Sequence, residues 1–144
     1  MESLGKPSNA ESIFHETGQT IFGGFGSTAQ HSYFQLLHQG TSQCSADIIY
    51  SPTTQSPLSN AQAKGQASLL SSPQKQSSDL RELTNGNIPV NLFVVPKLSL
   101  RELGFLLATW EHRVFVTARL LQINPFDQFG VAAGKKIARR FLKK

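Results

Sequence analysis

A chain of 144 residues, 39% of them hydrophobic, is long enough for one ordinary domain with a modest core. The net charge of +5 comes from the end of the chain, where six of the last ten residues are Lys or Arg, so the near-neutral remainder argues against a nucleic-acid-binding surface. Cys44 is the single cysteine, which excludes a disulfide framework and a cysteine-based metal site and fits a reducing cytoplasm.

In chain order, the opening residues MESLGKPSNAES are polar and lack the apolar centre of a signal peptide. Ile21 and Phe22 predict a short strand running into the glycines of FGGFG. In STAQHSYFQLLHQG, Ser27 and Gln30 form a capping box and Gly40 a stop. They predict one helix over residues 28–39, with Tyr33, Leu36 and Leu37 near one face. SADIIYS predicts a short buried strand. Residues 51–79 are rich in Ser and Gln and poor in large apolar groups. Residues 61–70 are the best helix there, but the stretch has little to bury and reads as a low-complexity polar insert, the least ordered part of the chain. NGNIP is turn chemistry, and VNLFVV is the most strand-like run. Ser99 and Glu102 make a second capping box, opening a long helix to about Gln122. That helix carries too many charges to span a membrane. Asn124-Pro125 predicts its break, and a last helix follows from Gln128.

Strand, helix, strand, polar insert, strand, helix, helix is an α/β order with at least partly parallel pairing. Three strands make a thin sheet, and the two long helices show more apolar surface than it covers. The chain therefore reads as part of a larger unit.

The last helix poses a question of direction. At about 100° per residue, Val131, Ala138 and Leu142 share one side, flanked by Gly134, Ile137 and Phe141. Lys136, Arg140 and Lys143 point away, whereas Lys135 falls at the border of the apolar stripe. A Lys there either snorkels past its neighbours or is held in a pocket as a functional cation.

NPFDQFGVAAGKK resembles the C-terminal signature of glucose-6-phosphate isomerases. In that signature an aromatic-Asp-Gln precedes Gly-Val, and a Lys lies seven residues after the Gln. Gln128 and Lys135 fall on those positions, while Ala132 stands where a polar residue, often Glu, is usual. MESLGK, GSTAQHSYFQLLHQGT and GNIPVNLFVVPKLSLRELGFLLATWEHRVF are similar to further segments of the family, in family order. Together they cover most of the chain outside residues 56–83. Family members are several hundred residues long, so the likeness is to the C-terminal third or so.

The resemblance implies part of a sugar-isomerase (SIS-type) three-layer α/β/α domain with C-terminal helices. It implies interconversion of glucose 6-phosphate and fructose 6-phosphate without metal or organic cofactor. The Lys matching Lys135 would assist ring opening at the sugar, and the Gln matching Gln128 would contact substrate. Implied partners are the sugar phosphate, an upstream domain carrying the phosphate-binding Ser/Thr loops, and a second subunit in a homodimer, with no nucleic acid and no membrane. The implied location is cytoplasmic.

The base is less direct. Many members carry a Glu in a Trp-Gly-Glu-Pro-Gly-Thr-Asn-Gly-Gln-His run and a His about thirty residues later. Gly24 stands at that Glu, and Gln55 or its neighbour Thr54 at that His; none can transfer the proton. In another branch the Glu of a Glu-Ser-x-Gly-Lys segment and the His just before a helix are the assigned pair. Here those are Glu2 and His31. The other readings are a solvated carboxylate for Glu2 and a side chain packed in the first helical turn for His31. His15, His38 and His112 are scattered without metal-ligand spacing. Trp110 reads as core, and the FGGFG glycines as sites of positive φ or close backbone approach. The competing functional reading is a non-catalytic fragment or interaction module of the same fold.

Overall fold

The computed structural model describes residues 1–7 and 16–142, so the expectations for His15 and Lys143 lie outside the described residues. The chain forms two units, one made of Gly23–Leu103 and the other of Met1–Phe22 together with Gly104–Lys144.

The continuous unit opens with two short helices, α1 (Gly26–Ala29) and α2 (Phe34–Gln39), where one was expected. The capping box does not form: the N-cap is Phe25, with no side-chain bond. The Ala29 carbonyl then accepts both the Ser32 and Tyr33 N–H groups, at 3.0 and 3.1 Å, and the chain turns. His31, Ser32 and Tyr33 are weak helix formers, so little opposes the break. Leu37 becomes buried while Leu36 stays exposed. Gly40 ends α2 through lack of space, not through a left-handed backbone. Its φ is −74°, and a Cβ there would lie 2.3 Å from the Leu36 carbonyl oxygen.

The strand β1 (Ala46–Tyr50) leads through α3 (Pro57–Ser71) to β2 (Val90–Val94). The two strands pair in parallel, in register from Ala46↔Val90 to Tyr50↔Val94. Parallel neighbours need a crossover, and α3 supplies it. Among the described residues the sheet has these two strands; Ile21 and Phe22 form none and are exposed. Their two-residue apolar run gives way to glycines before any ladder forms.

The Ser- and Gln-rich stretch behaves differently from its composition. Ser56 caps α3 by accepting the Ser59 N–H at 3.2 Å, with Pro57 in the first turn. Leu70, 1% exposed, sits with Leu37 and Ile88 at the centre of the core, surrounded by Tyr33, Phe34, Cys44, Ala46, Ile48 and Val90. One Leu and one Ala in the right register bury more than the average polarity implies; Ala67 is the second buried residue of α3. The expected turn at NGN is present. Gly86 and Asn87 have φ of 56° and 58°. Asn85 donates its N–H to the His38 carbonyl at 2.8 Å and its side-chain amide to the Gly40 carbonyl at 2.6 Å.

α4 (Leu100–Leu120) opens as expected, with the Ser99 hydroxyl donating to the Glu102 carboxylate and the Leu103 N–H to the Ser99 carbonyl at 3.0 Å. It closes at Leu120, with three residues still to come before Asn124-Pro125, so the proline is not what ends it. Gln122 turns left-handed at φ 58°. The Gln122 and Ile123 N–H groups return to the Arg119 and Ala118 carbonyls at 3.2 and 3.0 Å. That is a Schellman motif, and both Ala118 and Ile123 are buried. The Asn124 side-chain oxygen then accepts the Phe126 N–H at 3.0 Å, and the Phe126 ring lies 6.2 Å from that of Phe115. α5 (Phe129–Phe141) follows and has no buried residue. Trp110 is half-buried. Phe105, Leu107 and Val116 on α4, and Phe129, Ile137 and Phe141 on α5, are exposed, in keeping with the surplus apolar surface read from the sequence.

Candidate functional site

Gln128 is the N-cap of α5 and is exposed. Its carbonyl accepts the Ala132 N–H at 3.1 Å, but its side chain makes no capping bond, so the amide is open to another partner. Lys135 lies two turns along the same helix. It is exposed, as is Lys136, and among the described residues no ion pair or hydrogen bond holds its ammonium.

Glu2 sits in a turn closed by the Gly5 N–H donating to the Met1 carbonyl at 2.8 Å, and its side chain is exposed. Lys6, directly after that turn, reaches the loop before α5. Its Nζ is 3.2 Å from an Asp127 carboxylate oxygen and also donates to the Asn124 carbonyl. The Lys6 and Asp127 side chains are only 14% and 27% exposed. The Thr17 hydroxyl donates to the Lys6 carbonyl. Gly18, at φ 77°, passes so close that a Cβ there would lie 2.8 Å from the Gly5 Cα. The Glu2 turn and the Gln128 loop are thus tied together within one unit. The sequence reading missed Lys6 and Asp127. Periodicity gives no signal for a pair so far apart in the chain; the available hint was that both lie in segments resembling the family.

His31 belongs to the other unit. It lies in the turn between α1 and α2, exposed, with its N–H on the Thr28 carbonyl at 3.2 Å. It is not packed in a helical turn.

The positions aligned with the usual base and His have structural occupations. The Gln55 side-chain oxygen accepts the Ser51 N–H at 2.8 Å, and the Gln55 N–H returns to the Ser51 carbonyl at 3.1 Å. The Thr54 hydroxyl accepts the Leu98 N–H at 3.1 Å. Both side chains therefore hold the loop that leaves the carboxyl end of β1. Gly24 has ordinary φ and open space: a Cβ there would meet nothing nearer than the Tyr33 hydroxyl at 3.9 Å. Neither positive φ nor crowding explains glycine at 23, 24 or 26.

Among the described residues, Glu102 and Asp79 are held low, and both stand at helix starts. The Ser99 hydroxyl holds Glu102 below the usual glutamate range, and the Arg81 guanidinium does the same for Asp79. Among the described residues no three His, Cys, Asp or Glu side chains gather to hold a metal ion. Among the same residues, no helix is long and apolar enough to cross a membrane.

The parallel strand–helix–strand unit makes the fold α/β, and on the last helix Gln128 and Lys135 stand exposed. The chain belongs to the phosphoglucose isomerase family, whose profile matches residues 1–144. It is 36% identical to glucose-6-phosphate isomerase 2 of Neisseria meningitidis serogroup B, in an alignment covering 99% of this chain and 30% of that protein. It is 37% identical to the glucose-6-phosphate isomerase of Chlorobium phaeobacteroides, with the same coverage. The crystal structure of a glucose-6-phosphate isomerase from Chlamydia trachomatis superposes with a TM-score of 0.84 at 31% identity, over 99% of this chain and 30% of that one. The chain therefore spans about 30% of the length of these relatives.

Proposed function

We propose that the chain acts as the C-terminal part of a glucose-6-phosphate isomerase, interconverting glucose 6-phosphate and fructose 6-phosphate. The observation that carries this reading is the family match along the whole chain, with Gln128 and Lys135 standing open on α5. Ring opening breaks the C1–ring oxygen bond as a proton passes from the anomeric hydroxyl to the ring oxygen. The Lys135 ammonium stabilises the oxyanion that develops there, and the Gln128 amide holds a sugar hydroxyl. Isomerisation then moves a proton from C2 to C1 through a cis-enediol(ate). Glu2 is the proposed base and His31 the proposed acid–base partner. The chain completes a three-layer SIS-type domain in the cytoplasm. The upstream domain supplies the phosphate-binding Ser/Thr loops, and the active form is a homodimer.

A coupled assay tests it, on the 144-residue chain alone and mixed with the preceding part of the Neisseria meningitidis relative. Alone, the chain should show no more than trace turnover; complemented, it should turn over. Lys135→Ala should then lower kcat by about 100- to 1000-fold, the scale of one preorganised oxyanion donor worth about 2.7–4 kcal/mol. Lys136→Ala, the same charge removed about a quarter-turn round the helix, should leave the rate within about twofold. Equal losses would reduce the stretch to a basic tail.

The second reading, a non-catalytic interaction module, draws on Gln55 and Thr54, whose side chains are spent on backbone groups where the family places a His. Binding of the complementing part without turnover would favour it.

A further inference from the structure

One ammonium group joins two segments that lie 118 residues apart in the chain. Lys6 is 14% exposed at its side chain, whereas Lys135, Lys136, Arg139 and Arg140 in the same unit are all exposed. The counter-charge of Lys6 is Asp127, 3.2 Å away. Asp127 immediately precedes the N-cap of α5. That N-cap, Gln128, contributes no side-chain bond, and α5 buries no residue along its length. The direction of α5 within its unit is therefore set at its first turn.

Both sides of the contact are held. On the Lys6 side, the Met1–Gly5 turn is closed by a backbone bond, the Thr17 hydroxyl caps the Lys6 carbonyl, and Gly18 packs on Gly5. On the other side, the Asn124 side chain fixes the Phe126 N–H, which leaves the Asn124 carbonyl and the Asp127 carboxylate facing one cation. The carboxylate also lies at the positive end of the α5 dipole.

We infer that Lys6 is a positioning residue: by pairing with Asp127 and the Asn124 carbonyl it fixes the peptide that opens α5, and with it the direction in which Gln128 and Lys135 project. The role of those two side chains in catalysis rests on the function proposed above; the anchoring of α5 does not.

Hydrogen exchange on the full chain tests the anchoring. Lys6→Met keeps the apolar stem and removes the ammonium. The amides of Phe126 and Ala132, bonded to the Asn124 side chain and the Gln128 carbonyl, should exchange at least tenfold faster. Those of Ile88 and Val95 in the other unit should not change. Lys6→Arg should restore most of the protection. Asp127→Asn should mimic Lys6→Met, and the double variant should be no worse than either alone, as for two halves of one interaction. Should Lys6→Met fail to fold, the Asp127→Asn comparison decides. Unchanged exchange at Phe126 and Ala132, or an Arg variant as fast as Met, would overturn the inference. In the complemented enzyme, Lys6→Met should lower kcat and raise KM, and Lys6→Arg should restore both. Faster exchange in the Lys6→Met chain, with no turnover from the unsubstituted chain even when complemented, would sink the proposed function and leave Lys6 as the anchor of α5.

Discussion

Leu70→Ala should be among the most damaging single changes in the Gly23–Leu103 unit, although it falls in the most polar part of the sequence. The side chain is 1% exposed and packs with Leu37 and Ile88, while Tyr33, Phe34, Ile48 and Val90 close the surround. Truncating a fully buried Leu removes three carbons' worth of burial and leaves a cavity, and such changes cost about 2.7–5 kcal/mol. Several surrounding residues here are only partly buried, so the site can collapse a little, and about 3 kcal/mol is the expected loss. At about 1.4 kcal/mol per tenfold, that is slightly more than a hundredfold in the opening equilibrium. Two amides report it. The Ile88 N–H is bonded to the Leu70 carbonyl at 3.0 Å, and the Val95 N–H to the Tyr50 carbonyl at 2.9 Å across the strand ends. Both should lose about a hundredfold in hydrogen-exchange protection. Leu58→Ala on the same helix is the control: Leu58 is 69% exposed and should cost no more than about 0.5 kcal/mol. Comparable losses from the two substitutions would mean that α3 does not form the core, and that the stretch is the polar insert its composition suggests.

Gln122→Gly should stabilise the chain by about 1 kcal/mol, read as a rise of about 3 °C in melting temperature, because Gln122 holds φ 58° at a helix end where Gly is unstrained. Gly86→Ala should cost at least about 2 kcal/mol in denaturant titration, since φ is 56° and the new Cβ would lie 2.2 Å from the Pro73 nitrogen. Gly24→Ala, into open space, should stay within about 0.5 kcal/mol. Glu102, held low by the Ser99 hydroxyl, contributes stability that is present above its unfolded pKa and lost as pH falls through its lower folded value. The melting-temperature gap between the natural chain and E102Q should therefore be level near neutral pH and close as the pH drops below the usual glutamate value of 4.5.

Local rules made much of the fold readable. Short apolar runs marked β1 and β2, Ser99 and Glu102 marked the start of α4, and Asn85-Gly86-Asn87 marked a turn whose left-handed backbone is observed. What failed was long-range or collective. Leu70 acquires its importance from Leu37 and Ile88 across the fold, and no window of sequence around it carries that. The break at residues 30–33 falls where Ser32 and Tyr33 share the Ala29 carbonyl, a position that weak helix propensity permits but does not specify. Of the candidate residues, Gln128 was named through resemblance and Lys135 through resemblance and its direction on a helix, whereas the Lys6–Asp127 pair needed coordinates.

The division of the chain has a temporal consequence. Met1–Phe22 belongs with Gly104–Lys144, so the middle of the sequence forms one unit and the two ends form the other. A ribosome adds roughly 5–20 residues per second. The 118 residues between Lys6 and Asn124 therefore take on the order of 6 to 24 s to synthesise. Throughout that interval the first segment is outside or leaving the ribosome with its counterpart not yet made. The strand–helix–strand core, whose Leu37, Leu70 and Ile88 cluster lies within Gly23–Leu103, can form meanwhile. Within this stretch of chain, Met1–Phe22 is thus made well before the segment it packs with.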